Sequence, residues 1–413
     1  MLSDEVIEKV VARVVNRIEQ GNTYVLEQIG KSIKKIGTLS PSNAQQLVQI
    51  LRYGGDYDKI IKKLQEITNL NTRDIYKIFE EVAKNDYMFA KQFYDYREVK
   101  FIPWEENLQL QKEINALANI TAKKYLNLSG TGAIGFTVKQ LDSNGKLKTV
   151  FKDISQTYID TMDTAVFNVS QGKTTFNEEM SRIMKELGES GLKTINYQNG
   201  RSMRLDSAVE MNLKEGLRTL HNEEQQIFGE EFDADGVEVT VHEYPAPDHE
   251  LVQGRQFTLE EFDKFQNDQD AISVDGIEFP AIADETGHDR RSIAQYNCYH
   301  TIFPIIVGVS KPRYTNEQLQ TIIKRNDTGF DFDGKHYSMY EGTQLQRKLE
   351  TEIRKNKDIQ IMARASGMEE LAQKSQTKIN QLTQKYKELS QTSGLKTELE
   401  RAKVAGYRKI KVK

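Results

Sequence analysis

The chain contains 413 residues, of which 38% are hydrophobic and 29% are charged, with a formal net charge of −4 at pH 7 and a single cysteine. A membrane-spanning helix needs a run of about 18 apolar residues, and none occurs, so we expect no membrane segment. One cysteine excludes an internal disulfide. The length allows two to four domains, with modest cores and long, solvated helices.

The first region, residues 1–124, is predicted to be helical. Val6, Val10, Val14 and Ile18 recur at helical spacing after Ser3, a good N-cap residue. Acidic residues stand where a signal peptide requires basic ones, so we expect no signal peptide. Ser40-Pro41 is a typical helix start, and we predict a helix there. Amphipathic patterns predict further helices at residues 56–68, 72–85 and 105–124.

Aromatic residues cluster at the end of this region, at Tyr87, Phe89, Phe93, Tyr94, Tyr96, Phe101 and Trp104. We interpret the cluster as the core between packed helices. The alternative is an exposed surface that binds a neighbouring protein, because exposed aromatic side chains favour interfaces.

The second region, residues 125–200, begins with alternating periodicity on both sides of Asp142-Ser-Asn-Gly145, which predicts a β-hairpin. Just before it, Gly130-Thr-Gly132-x-x-Gly135 has the glycine spacing of a dinucleotide-binding loop. It precedes a strand instead of opening a helix, so we interpret it as a flexible turn. Helices are predicted to follow at residues 154–170, 174–190 and 201–229.

The last region, residues 316–413, is predicted to be a helical arm with a basic tail. Residues 316–325 and 340–365 have helical patterns, and 326–337 form a loop with a turn at Asp333-Gly334. Helices that are polar on all sides bridge to another protein or are unstable alone. We therefore expect the helices after Tyr340 to finish burying their surfaces only in an assembly.

Four apolar residues near the end keep helical spacing, namely Ile379, Leu382, Tyr386 and Leu389. The repeat is too short to establish a coiled coil, so a solvated helix and a short contact between copies both stay open. The final residues are short and charged, and we expect them to be mobile until a partner orders them.

Charge is distributed unevenly along the chain. Residues 221–290 contain twenty Asp and Glu residues against three bases. The tail, residues 396–413, contains two acids and seven bases, which are Lys396, Arg401, Lys403, Arg408, Lys409, Lys411 and Lys413. DNA binding depends on neutralising phosphates with Lys and Arg, so we expect weak DNA contact through the tail and none through the acidic region.

The stretch 239–310 organises the chain. A strand pattern over 237–241 runs into a proline-containing loop, and four of the six histidines lie in this stretch with the only cysteine. The motif residues are His242, His249, Gln253, Gly254, Asn297, Cys298 and His300.

This pattern resembles the phage minor capsid protein 2 family, which is related to the Mu-type head morphogenesis proteins of tailed phages. Two further blocks support the resemblance: one runs from Tyr197 to Asp206 and the other from Tyr340 to Arg354. The chain departs from the family pattern at Tyr299, where the family usually has Arg, and at Pro245-Ala246-Pro247, where it has Ala-Arg-Pro. Both departures remove a basic group.

The resemblance implies a structural minor protein of a tailed-phage head. Such a protein is added during head assembly in the host cytoplasm and lies in the virion at or near the portal. Its implied partners are the portal protein, the major capsid protein or both, and ejection with the DNA is left open. No small-molecule substrate and no cofactor are implied.

The histidines and cysteine have two chemical interpretations. His242, His249, Cys298 and His300 are ligand types for tetrahedral zinc, but their spacing is not that of a zinc finger or ribbon. We favour a hydrogen-bonded set that fixes a loop, with zinc well below one equivalent, and keep structural zinc as the alternative. In either case His242 or His249 should contact the segment 297–300.

Enzyme functions are the competing class. Asp248, His249, Asn297 and His300 contain the residue types of a His-Asn-His metal nuclease, delivered with the DNA, but the acidic surroundings would repel a phosphate substrate. ADP-ribosyl transfer would need an additional domain. A serine hydrolase would need a Gly-x-Ser-x-Gly element between a strand and a helix, which the sequence lacks. We therefore expect a structural protein without catalytic residues.

The predicted fold class is α+β. A mainly helical scaffold holds one small acidic, mostly antiparallel domain and continues into a helical C-terminal arm. The expected regions are 1–124, 125–200, 201–315 and 316–413, with the acidic domain at 201–315.

Overall fold

The computed structural model shows a mainly helical α+β protein, as predicted. It describes residues 4–37, 56–97, 100–130, 132–154, 156–157, 160, 164, 168, 174–195, 202–267, 272–274, 277–279, 292–293 and 298–412. The predicted helix start at Ser40-Pro41 and most of the predicted helix 154–170 lie outside these residues.

The helices are α1 Asp4–Gly37, α2 Asp56–Arg97, α3 Leu108–Ser129, α4 Phe176–Ser190, α5 Leu205–Glu231, α6 Leu259–Asn267, α7 Asn316–Thr328, α8 Met339–Ser366 and α9 Glu369–Ser393. A 3-10 turn, η1, covers Leu399–Ala402. Local signals account for several of the starts. Thr175 and Thr315 cap α4 and α7, each in a capping box with the residue three positions later.

The strands form small antiparallel sheets. They are β1 Ile134–Leu141, β2 Leu147–Asp153, β3 Lys193–Ile195, β4 Ser202–Arg204, β5 Gly236–Val239, β6 Gln256–Thr258, β7 Ile272–Val274, β8 Ile277–Phe279, β9 Ile302–Ile305, β10 Phe330–Phe332 and β11 Lys335–Tyr337. One sheet has the order β2-β1-β3-β4 and another the order β6-β5-β9, while β7-β8 and β10-β11 are two-stranded. The predicted hairpin is β1-β2, with Gly145 at φ 74° in its turn.

The described helices and strands group into two compact units, each made of three chain segments. Unit 1 contains Met1–Val11, Asp74–Ala122 and Met211–Gln344. Unit 2 contains Ala12–Arg73, Lys123–Glu210 and Leu345–Lys413. The four consecutive regions expected from the sequence stay a prediction.

In unit 1, the sheet β6-β5-β9 packs against α6. Val237 and Val239 of β5 and Phe262 and Phe265 of α6 belong to one buried apolar cluster. Cys298 belongs to the same cluster. The sequence motif therefore lies beside the apolar core of this unit.

The aromatic residues of unit 1 confirm the core interpretation for part of their stretch. Tyr87, Tyr94 and Trp104 are buried. The ring centroid of Tyr87 lies 4.8 Å from that of Phe101 and 6.1 Å from that of Phe228 on α5. In contrast, Phe89 is 43% exposed.

The helix α2 continues through the predicted break between residues 68 and 72. Asn71 lies at this point and is fully buried. Its side-chain Nδ2 donates to the hydroxyl of Tyr125 at 3.1 Å and to the carbonyl of Val14 at 3.4 Å. An asparagine favours a helix end only while its amide competes for nearby backbone groups. Tertiary partners remove that competition here.

The expectation for the C-terminal helices was wrong. Within unit 2, α9 buries Ile379, Tyr386 and Leu389, so the spaced apolar residues form neither a solvated helix nor a contact between copies. Ile379 packs with Ile353 of α8 and Ala402 of η1. The polar composition of these helices suggested exposed surfaces. Instead, some of their polar side chains, such as Gln360 and Gln376, are buried and form hydrogen bonds with each other.

Two further expectations fail in the same part of the chain. The tail is not a loose segment, because Ala402 and Val404 are buried and the hydroxyl of Tyr407 donates to Gln376 at 2.9 Å. The predicted loop 326–337 contains the hairpin β10-β11. Its turn is the predicted Asp333-Gly334, at φ 49° and 74°.

Candidate functional site

Two antiparallel strands bring the two halves of the motif together. In the pair β5-β9, Val239 lies opposite Ile302. Beyond this pair the backbone N–H of Thr240 donates to the carbonyl of Thr301 at 2.9 Å. His242 follows the end of β5 and His300 precedes the start of β9, so antiparallel pairing places them at the same end of the sheet.

The loop after β5 contains a tight turn that explains the Gln-Gly part of the motif. The backbone N–H of Gln253 donates to the carbonyl of His249 at 3.2 Å, and that of Gly254 donates to Val239 at 2.9 Å. Gly254 has φ 70°, a conformation that glycine adopts readily. A Cβ at this position would lie 2.5 Å from the side chain of Leu319. Only glycine therefore fits the turn without displacing its neighbours.

The sulfur of Cys298 lies between two imidazoles. Its Sγ is 3.3 Å from Nδ1 of His249 and 3.4 Å from Nδ1 of His300. The backbone N–H of His300 also donates to this sulfur, at 3.4 Å. All three residues are at most 3% exposed. We call these residues the His-Cys-His cluster.

Gln253 and Asp248 contact the outer nitrogens of the two imidazoles. Oε1 of Gln253 accepts the backbone N–H of His242 at 2.9 Å and lies 3.3 Å from Nε2 of His300. Oδ2 of Asp248 lies 3.8 Å from Nε2 of His249. These contacts orient each imidazole so that its Nδ1 faces the sulfur.

The structure thus brings together six of the motif residues, which are His242, His249, Gln253, Gly254, Cys298 and His300. The predicted contact of His249 with the segment after residue 297 is confirmed. His242 lies beside the cluster, with its ring centroid 4.7 Å from that of His300. Asn297, which the nuclease alternative requires, lies outside the described residues.

Tyr299 replaces the arginine that the resembled pattern has at this position, but a basic group is still present. The guanidinium carbon of Arg218 lies 4.5 Å from the ring centroid of Tyr299, which is a cation–π contact. Arg218 belongs to α5 and is 2% exposed. The basic group therefore comes from a helix instead of from the motif.

Sequence reasoning missed a second buried polar group in unit 1. Nδ1 of His221 lies 2.8 Å from a carboxylate oxygen of Asp86. Glu224, one helical turn after His221, is 1% exposed. Its burial, together with the nearby charge of Asp86, raises the pKa of Glu224 well above its ordinary value. The available signal was the spacing, because His221 and Glu224 lie on the apolar stripe of α5.

In unit 2, the two supporting sequence blocks meet in a buried ionic cluster. The guanidinium of Arg204 bonds to Asp206 at 3.1 Å and to Asp358 at 2.9 Å, and Arg354 bonds to Asp206 at 3.3 Å. Burial alone would raise the pKa of Asp206, but the charges of Arg204 and Arg354 outweigh it and lower this pKa to about 2. Asp206 ends the first block and Arg354 ends the second. Their contact gives a physical reason for both blocks.

The family model described as phage minor capsid protein 2 matches residues 2–390, nearly the whole chain. The chain belongs to the phage minor capsid protein 2 family. No curated protein and no solved structure matches the chain.

Membership in the phage minor capsid protein 2 family makes the chain a structural protein of the bacteriophage virion. Its partners are accordingly other structural proteins of the phage. The family indicates a structural role. Among the residues that the structure describes, no helix is long and apolar enough to cross a membrane.

Proposed function

We propose that this protein is a minor head component that joins the capsid during assembly and attaches at or near the portal. The observation that supports the proposal is the family match over residues 2–390. The resemblance to Mu-type head morphogenesis proteins supports a position at the portal. This resemblance covers the motif residues, from His242 to His300, and both blocks of the ionic cluster in unit 2.

A groove in unit 1 has the composition of a protein-contact surface, and we propose that it contacts the portal protein. It encloses about 390 Å³ and is lined by Asp86, Phe89, Ala90, Gln225, Phe228, Phe232, Phe303, Pro304 and Arg313. The guanidinium of Arg313 stacks 3.7 Å from the ring centroid of Phe303. Aromatic and arginine side chains are enriched at protein interfaces and carry much of their binding energy.

One side chain that lines this groove is exposed, and so is its neighbour in sequence. Phe89 is 43% exposed and the adjacent Met88 is 48% exposed. Neighbouring aromatic residues Tyr87 and Tyr94 are buried, so the stretch combines a core face with an outer face. We infer that the outer face receives an apolar side chain of the portal protein.

Cryo-electron microscopy of assembled heads, reconstructed without imposed symmetry, tests the position. We expect density for this protein at the portal vertex that is lost from heads of a phage with the gene deleted. Density distributed over the whole capsid lattice would contradict attachment near the portal. Comparing full and emptied heads additionally shows whether the protein leaves with the DNA.

Co-purification with the portal protein tests the groove. We expect Phe89→Glu to weaken the complex at least tenfold, because a charge would replace an apolar contact at the groove. Ile120→Glu is the matched control, since Ile120 is an exposed apolar residue of the same unit, at 53%, and does not line the groove. Equal portal binding by the two variants would exclude the groove as the contact.

A further inference from the structure

We propose that His249, Cys298 and His300 bind one zinc ion. The three candidate ligand atoms all lie within 4.8 Å of one another, and the three residues are buried. Among the described residues, no other group of three or more His, Cys, Asp and Glu residues has its potential ligand atoms this close together. The sequence alone favoured hydrogen-bonded histidines, whereas the positions of these atoms favour a metal.

The two sulfur–nitrogen distances fit tetrahedral zinc. Zinc bonds of about 2.3 Å to sulfur and about 2.0 Å to nitrogen, at a tetrahedral angle, place sulfur and nitrogen about 3.5 Å apart. The observed distances from Sγ of Cys298 are 3.3 Å to His249 and 3.4 Å to His300. These two sulfur–nitrogen distances therefore need to change little to accept the ion.

The tautomer of His300 follows from its neighbour. Oε1 of Gln253 is an acceptor, because it receives the backbone N–H of His242 at 2.9 Å. The Nε2 of His300 that faces this oxygen at 3.3 Å must then carry the proton. A neutral imidazole protonated at Nε2 has a lone pair at Nδ1. In His300 that lone pair is directed at the sulfur of Cys298.

At His249 the carboxylate of Asp248 lies 3.8 Å from Nε2, which is too long for a hydrogen bond, but its negative charge favours the proton at that nitrogen. Two nitrogen lone pairs then face one sulfur atom. A thiol has a single proton and can satisfy one of these nitrogens, whereas a cation satisfies both nitrogens and a thiolate. The backbone N–H of His300, which donates to the sulfur at 3.4 Å, favours the thiolate form that binds metals.

Gln253 and Asp248 act as positioning residues. A histidine that binds a metal usually donates its other N–H to a carboxylate or carbonyl oxygen, which fixes the ring and strengthens the ligand. His300 has such an oxygen at hydrogen-bond distance in Gln253, and His249 has the carboxylate of Asp248 nearby at 3.8 Å. This pairing is characteristic of a built metal site.

The ligand types favour zinc over magnesium and calcium. Magnesium and calcium prefer oxygen ligands, whereas one thiolate and two imidazoles suit zinc. Three protein ligands leave a fourth position, which a water molecule can complete. Because the ligands are at most 3% exposed, we assign the ion a structural role. It would fasten the loop after β5 to the segment before β9.

Metal analysis and cobalt spectroscopy of the full chain test the proposal. We expect the purified protein to contain one equivalent of zinc that survives dialysis. After removal by a chelator, cobalt should produce tetrahedral bands in the visible region and a thiolate charge-transfer band in the near ultraviolet. The chain has one cysteine, so that band identifies Cys298. Protein that takes up neither zinc nor cobalt would overturn the proposal.

Variants give a second readout. Cys298→Ser should lose the charge-transfer band, and Gln253→Ala should lower zinc affinity about 10- to 100-fold through the loss of ring orientation. His336→Ala is the control, because His336 is an exposed histidine of the same unit and should change neither. Undiminished zinc affinity in Cys298→Ser would also overturn the proposal. If that variant fails to fold, the cobalt spectrum of the unaltered protein decides.

Discussion

Glu19 on α1 is a residue whose protonation depends on its surroundings in unit 2. Burial raises the pKa of Glu19 to about 7, and the nearby carboxylate of Asp206 adds to the effect. The charges of Arg354 and Arg204 act in the opposite direction, but they do not outweigh the burial. The folded protein therefore binds a proton at Glu19 that the unfolded chain releases at lower pH.

The effect on stability has a defined sign. A carboxyl group with a raised pKa contributes stability below its unfolded pKa, about 4.3, and loses it as the pH rises through the folded value. For Glu19 the loss occurs between about pH 4.3 and about pH 7. Above that range a charged carboxylate must remain partly buried.

We predict that Glu19→Gln stabilises the protein at alkaline pH. Glutamine keeps the shape of the protonated acid and carries no charge, so it should raise the free energy of unfolding by about 2 kcal/mol at about pH 8.5. The difference should vanish near pH 4.5. Urea unfolding at both pH values measures it, with the exposed Glu66→Gln as control for the loss of a charge. A stabilisation independent of pH would contradict this assignment.

At the scale of single elements, the tail is ordered by a few apolar residues. Ala402 and Val404 are buried in unit 2, while Lys396, Arg408, Lys409 and Lys411 are exposed. Arg401 and Lys403 form ion pairs with Glu398 and Glu400. The tail therefore presents these four exposed bases on an ordered segment. DNA contact through these bases remains our proposal.

We predict that the triple variant Arg408→Gln, Lys409→Gln, Lys411→Gln loses the weak DNA binding. Each lost phosphate contact should reduce the salt dependence of binding, to a combined decrease of about 3 in the slope of log K against log salt. Fluorescence anisotropy with duplex DNA at several salt concentrations measures it. Deleting the tail is a poorer test, because it would also remove the buried residues.

The control for the tail variant is a pair of exposed lysines on the hairpin β1-β2 of the same unit, changed by Lys146→Gln and Lys148→Gln. This pair variant should bind DNA like the unaltered protein. If it loses as much affinity as the triple variant, the binding reflects overall charge and not the tail.

At the scale of the whole molecule, polar side chains build part of the interior of unit 2. Oε1 of Gln376 accepts hydrogen bonds from Gln360 at 2.8 Å, from the hydroxyl of Tyr407 at 2.9 Å and from the backbone of Ile410 at 3.0 Å. The hydroxyl of Tyr386 donates to Glu350 at 3.0 Å. Such buried networks are compatible with a stable fold because their members are hydrogen-bonded.

We therefore predict strong hydrogen-exchange protection of α8 and α9 in the isolated chain. Their protection should be comparable with that of α5. Mass-spectrometric exchange of the purified monomer measures it. Rapid exchange throughout α9 would show that its buried contacts form only after assembly, as the sequence had suggested.

Local patterns were sufficient to predict the helices with clear periodicity, the turn of β1-β2 and the family. These features depend on neighbours along the chain, such as the turn residues Asp142 to Gly145, or on a rare set of residue types. The co-occurrence of rare residue types at His249, Cys298 and His300 predicted that these side chains lie close together in space. Their spacing could not show how the ligand atoms are oriented.

The remaining features follow from contacts between segments that are distant along the chain. It showed that Asn71 continues a helix, that the polar helices α8 and α9 are packed, and that Asp206 meets Arg354. Each of these outcomes depends on partners that are distant in sequence and supply hydrogen bonds or opposite charges. The sequence of a helix does not distinguish a solvated polar residue from one that is buried with a partner. Contacts between distant segments determine which of the two states it adopts.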